Sequence, residues 1–153
     1  MSLKRGLYKG GRPYALAKVV NKGWAIFHSL GILPNYLVTL EVVGRRSGKL
    51  ISFPLAMTVM NSERYLVSML GGEVNWVRNI KAAGGKATLR HGISEEVFLE
   101  EVDVQERAAI IKEYLQIAPG ARPHIPVDKD APITAFKEIA PKIPVFKISA
   151  AKS

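Results

Sequence analysis

Apolar and polar residues follow two different rhythms along this chain. From Pro13 to about Leu30, the apolar residues Leu16, Val19, Val20, Trp24, Ile26, Phe27 and Leu30 recur at roughly helical spacing. That pattern predicts a helix with one packed face. Pro13 suits its first turn and Gly31 its end, while Gly23 weakens its interior. Lys18 and Lys22 lie one turn apart on the other face. The period then shortens. Val38–Val43 is rich in β-branched residues and reads as a strand, Gly44–Lys49 as a turn, and Leu50–Met60 as a longer strand. Pro54 is expected to break that second strand, at an edge, a bulge or a point where the backbone leaves the ladder.

Asn61-Ser62-Glu63 turns the chain and Arg64–Leu70 reads as a third strand, ended by Gly71-Gly72. Asn75–Ala83 predicts a short helix closed by Gly84-Gly85. Lys86–Arg90 and Glu95–Asp103 read as two strands joined at His91-Gly92. Val104–Gln116 predicts an amphipathic helix with Ile110, Ile111, Tyr114 and Leu115 inward. A proline-rich loop from Pro119 to Pro126 follows, then a short helix over Pro132–Ala140 and a last strand over Ile143–Ile148. This order lacks the strand–helix alternation of a doubly wound sheet, so the expected class is α+β: a mostly antiparallel barrel with flanking helices. With no repeat and no low-complexity linker, residues 1–153 are expected to form one domain. Its parts are a basic helical segment, 1–31, and a barrel with helices, 38–150.

Composition narrows the chemistry. Apolar residues make up 48% of 153, which argues against a disordered role and allows a sizeable core. The absence of cysteine excludes a disulfide framework, thiolate metal sites and a cysteine nucleophile, and fits a reducing compartment. Three scattered histidines, His28, His91 and His124, argue against a protein-bound metal. The basic start lacks a secretory signal's apolar stretch, and no apolar run is long enough to span a membrane. A cytoplasmic protein is expected.

Charge adds direction. The net charge of +9 predicts an anionic partner. Lys4, Arg5, Lys9, Arg12, Lys18 and Lys22 all precede the first acid, Glu41, whereas Glu95, Glu96, Glu100, Glu101, Asp103 and Glu106 gather later. The sharpest local signal is Gly44-Arg45-Arg46-Ser47-Gly48-Lys49 between two strands. Two glycines permit positive φ and a convergence of amides, and Ser47, Arg45, Arg46 and Lys49 offer donors suited to phosphate or carboxylate. A plain hairpin with solvated basic residues accounts for the hexapeptide equally well. The spacing is not that of a P-loop.

The run from Val38 through Asn79 resembles the deazaflavin-dependent nitroreductase family, a branch of the FMN-binding-like split β-barrels. The likeness rests on the Gly44–Gly48 turn, Pro54-Leu55, Ser68-Met69-Leu70-Gly71, Trp76 and Asn79, and the late Ile143-Pro144-Val145. It implies an oxidoreductase that uses coenzyme F-420 to exchange hydride with a quinone, enone or nitro compound. Arg45, Arg46, Ser47, Gly48 and Lys49 would then bind the cofactor's phosphate and the start of its glutamate tail. Pro54 and Leu55 would lie beside the ring, and Ser68, Met69, Leu70 and Gly71 would border ring or polyol. Trp76 and Asn79 would face the pocket, with Arg78 as a further anion contact. Core packing for Trp76 and a helix-end hydrogen bond for Asn79 are the plainer readings.

The proton donors expected on this basis are Ser68, His124 or water. The acceptor pocket would draw on Trp24, Met57, Met69 and the loop around Ile125. The basic N-terminal helix would attract the polyglutamate tail, or alternatively anionic lipid at a membrane surface. Nitroreductases of this kind bear tyrosines near the substrate towards the C-terminal helix, where this chain has Phe136 and no tyrosine after Tyr114. Three competitors remain: the same fold holding FMN, haem or another tetrapyrrole; a non-enzymatic carrier of the cofactor or a fatty acid; and a nucleic-acid module. Against the last, aromatic residues are not interleaved with the basic run. Pairing into a homodimer is a further expectation.

Overall fold

The computed structural model describes residues 36–118, 121 and 125–151. The expected N-terminal helix with Trp24 and His28, and most of the proline-rich loop with His124, lie outside the described residues. Among the described residues, six strands and three α-helices follow one another as β1 (Leu37–Val43), β2 (Leu50–Met60), β3 (Glu63–Val67), α1 (Asn75–Ala82), β4 (Lys86–Arg90), β5 (Ser94–Glu101), α2 (Val104–Ile117), α3 (Ile133–Ile139) and β6 (Val145–Ala150). A short 3-10 turn, Ala140–Lys142, joins α3 to β6. All pairings are antiparallel, and the order β1-β2-β3-β6-β5-β4 closes on itself through β4 and β1. The expected α+β barrel is the observed architecture.

Pro54 does not break β2. The strand runs unbroken for 11 residues, pairing with β1 along Leu50–Ala56 and with β3 only along Met57–Met60. Its first half therefore has one neighbour among the described residues. Pro54, opposite Thr39, stands in a stretch whose second edge bonds no strand among the described residues, so the missing N–H costs the ladder little. Here the barrel is split. The next connection is tight: Asn61 and Ser62 both adopt positive φ, 52° and 65°, as a two-residue hairpin requires.

Strand alternation makes two cores. Val38, Leu40, Leu66, Leu89, Val97 and Phe146 fill the barrel together with Trp76, Val77 and Ile80 of α1. The opposite faces of β2, β3 and β6, carrying Ala56, Val67 and Val145, pack beneath α2 and α3 against Ile111, Leu115 and Phe136. Burying Phe146 or Phe136 in this way contributes about 1.5–3 kcal/mol each. Arg107, 5% exposed, ties the layers by donating to the carbonyls of Val102 (2.9 Å) and Ala140 (3.0 Å) and to Glu101 (2.9 Å). A buried guanidinium is tolerable only with such partners. No helix among the described residues is long and apolar enough to cross a membrane.

Candidate cofactor groove

The β1–β2 hairpin is built largely from its own hydrogen bonds. Gly44 N–H donates to the Lys49 carbonyl (2.7 Å), Gly48 N–H to the Gly44 carbonyl (2.9 Å) and Lys49 N–H to Ser47 Oγ (3.1 Å). Arg45 N–H donates to Asn79 Oδ1 across from α1 (3.1 Å). The amides of Gly44, Arg45, Gly48 and Lys49 are thus satisfied within the fold and take no part in the expected convergence on an external point. The two glycines also differ. Gly48 needs its positive φ of +72°, whereas a Cβ on Gly44 would lie 2.7 Å from Ile51 Cδ1 and 2.9 Å from Ser47 Oγ, so both side chains would have to shift.

Side chains, not amides, give the turn its chemistry. The same Asn79 oxygen accepts a second bond from Arg45 Nη1 at 2.8 Å, and Asn75 Oδ1 lies 3.4 Å from Arg45 Nη2. Asn79 is buried and Arg45 half-buried, so the guanidinium is fixed in place. Partial desolvation, then the nearby charges of Arg46 and Arg78, lower the Arg45 pKa from its ordinary value. Arg45 and Arg46 therefore bring like charges to one rim, and the charge of Arg78 is felt there as well. Glu73 offers only a loose counter-charge, 3.8 Å from Arg78 and 90% exposed.

Beneath that rim lies a groove of about 580 Å³. Its floor is apolar, with Leu40, Val42, Ile51 and Phe53 from β1 and β2 facing Leu70, Val74 and Trp76. Arg45, Arg46, Ser47, Asn75 and Asn79 form its polar end. Trp76 also packs edge-on against Phe146, with ring centroids 5.7 Å apart, so it belongs to core and groove alike. A recess of about 50 Å³ adjoins the groove at the split, sharing Phe53, Leu70, Val74 and Trp76 with it. Pro54 and Leu55 on the open edge of β2, Ser68 and Met69 leaving β3, and Tyr114 of α2 complete the recess. A third hollow of about 400 Å³ runs from Met69, Leu70 and Gly71 to Glu138 and Lys142.

The structure thus gathers most, though not all, of the expected site residues. Arg45, Arg46, Ser47, Trp76 and Asn79 line the groove, Pro54, Leu55, Ser68 and Met69 the recess, and Leu70 both. Gly71 lies on the third hollow, and Gly48, Lys49 and Arg78 line none of the three. Two expectations are corrected. The Ser68 hydroxyl, expected to give up a proton, donates it to the Gly71 carbonyl at 2.5 Å and locks the turn after β3. Ile125, expected in an acceptor pocket, is 2% exposed in the outer core, and Met57 packs against the barrel core. Phe53, Glu73, Val74, Asn75 and Tyr114 were not singled out for the site. Asn75 had a signal, one helical turn before Asn79.

No protein-family model matches this chain, and no curated protein matches it. Solved structures share its fold. A reductase dependent on reduced coenzyme F-420 (FDR-A) aligns with a TM-score of 0.53 at 20% identity, over 77% of this chain and 97% of that one. A Listeria innocua protein assigned as a pyridoxamine 5'-phosphate oxidase aligns with 0.53 at 11%, over 86% and 93%. A heme binding protein from Mycobacterium smegmatis aligns with 0.50 at 14%, over 82% of this chain and 51% of that one. These likenesses establish the fold as a split β-barrel.

Proposed function

We propose that the groove under the β1–β2 hairpin holds a flavin-type cofactor, the anionic deazaflavin coenzyme F-420, and that the protein is an oxidoreductase acting on a small electrophilic quinone, enone or nitro compound. One observation carries the reading: Asn79 fixes Arg45, which with Arg46 forms the basic end of an apolar groove of about 580 Å³. Like charges gathered at a rim repel one another until an anion joins them. The volume falls within the ~300–1,000 Å³ usual for small-molecule sites. Residues present therefore fit a flat ring with a phosphate-bearing chain.

Arg46, Ser47 and the remaining donors of Arg45 would hold the phosphate and the start of the glutamate tail. Lys49 and Arg78 would add screened attraction from the flank. Trp76 and Phe53 would pack against the ring and exclude water, while Pro54 and Leu55 offer backbone groups from the unpaired edge of β2. Met69, Leu70 and Gly71 would border the far side. When bound, the deazaflavin supplies a two-electron hydride; the protein supplies position and electrostatics. With the Ser68 proton held by Gly71, the proton for the acceptor would come from His124 or water. Residues 1–153 are proposed as one cytoplasmic domain, its basic segment 1–31 meeting the glutamate tail or anionic lipid, and its partner a second copy.

FMN would satisfy the same rim through its phosphate and is the competing occupant. Fluorescence titration with coenzyme F-420 and with FMN, on wild type and Arg46→Ala, tests the reading. An exposed ionic contact of ~0.2–1 kcal/mol predicts about a one-and-a-half- to fivefold weaker coenzyme affinity for the variant at low salt. Equal affinities, or preference for FMN, would count against it.

A further inference from the structure

Tyr114 is 3% exposed on α2, yet it borders the recess at the split. Buried hydroxyls normally have a hydrogen-bond partner. That of Tyr114 has none among the described residues. It is also not sealed in: the fully enclosed side-chain atom without a partner among the described residues is Thr58 Oγ1. Tyr114 is among the residues that line the recess, which leaves its phenol placed to reach into that space. Ser68, on the same wall, has its proton directed to Gly71, and Pro54 has no N–H to give. Burial pushes the Tyr114 phenol well above its ordinary pKa, so at neutral pH the proton stays on the oxygen. A residue that keeps a donor proton thus lines a small space shared with Phe53, Leu55, Met69 and Trp76.

The size of that space limits what enters. About 50 Å³ is room for one or two waters at roughly 30 Å³ each, and too little for a ring. A single oxygen-bearing group fits, provided that the rest of its molecule lies in the adjoining groove. We infer that Tyr114 is a binding residue whose hydroxyl donates a hydrogen bond to the carbonyl or nitro oxygen of the electron acceptor. The identity of that ligand as an acceptor rests on the function proposed above; the donor and its recess do not.

The test uses the full chain and Tyr114→Phe, which keeps the ring and removes only the oxygen, with carbonyl-labelled 2-cyclohexen-1-one as probe. Infrared spectra should show the bound carbonyl stretch moved to lower frequency in wild type and unmoved in the variant. Loss of one neutral hydrogen bond predicts about fivefold weaker enone binding. The variant's thermal midpoint should not fall, since the free protein loses no bond. Equal affinity and equal stretch in both proteins, or no enone binding to wild type, would overturn the inference. So would a lowered midpoint with unchanged enone binding, which would reveal a structural partner. Coenzyme F-420 titration of both proteins separates the two readings. Coenzyme binding with a Tyr114-independent enone sinks only this inference; a Tyr114-dependent enone shift without coenzyme binding supports it and sinks the cofactor assignment.

Discussion

One oxygen of Asn79 accepts two hydrogen bonds from Arg45, from its backbone amide at 3.1 Å and its guanidinium at 2.8 Å. That oxygen joins the hairpin to α1 and decides where the first charge of the rim stands.

Replacing Asn79 by alanine leaves the Arg45 amide and guanidinium without that acceptor. The expected cost is about 1–3 kcal/mol, read as a lower urea midpoint, together with several-fold weaker coenzyme F-420 binding. Asn79→Asp keeps an acceptor but neutralises Arg45. It should stay close to wild type in urea while still binding the coenzyme more weakly, because a carboxylate now competes for the rim.

Ser68→Ala separates a turn lock from a proton donor. Loss of the hydroxyl bond to Gly71 should lower stability by about 1 kcal/mol in urea denaturation. Hydride transfer, followed by loss of absorbance of the reduced coenzyme, should keep its wild-type pH profile. A flattened profile with unchanged stability would restore the catalytic role.

At one end of the barrel, Arg64 grips Glu95 with two bonds of 2.9 and 2.8 Å, and the His91 ring lies 3.2 Å from the same carboxylate. The hydrogen bonds from Arg64, and secondarily His91, hold the Glu95 carboxyl at about 2, below its ordinary 4.5. A depressed carboxylate stabilises the fold above its unfolded pKa and loses that contribution as pH falls from 4.5 towards 2. Wild type should therefore lose more stability than Glu95→Gln between pH 6 and pH 3, by guanidinium denaturation at both. Parallel losses would show that the pair does not govern acid sensitivity.

Much of the barrel was legible because β-branched runs and glycine or asparagine turns mark strands locally. What failed was set by distant partners. Pro54 looked like a break because a missing N–H matters only on a paired edge, and whether β3 reaches that far is a tertiary fact. Ser68-Met69-Leu70 reads as strand, yet Ser68 N–H donates to the Pro144 carbonyl (2.9 Å) and its hydroxyl bends the chain at Gly71. The basic turn was visible as chemistry. Its anchor was not, since Arg45 and Asn79 lie 34 residues apart and meet only when the barrel closes. Helical periodicity placed Tyr114 inward, but nothing local shows that its wall is a recess.

The most direct measurement follows Trp76, which lies in the groove, by fluorine NMR. With 5-fluorotryptophan incorporated, Trp24 and Trp76 give two resonances, assigned through Trp76→Phe. Adding coenzyme F-420 should move the Trp76 resonance, with a midpoint displaced to higher coenzyme concentration in Arg46→Ala. A Trp76 resonance that stays in place while the coenzyme binds, or no binding at all, would contradict the account.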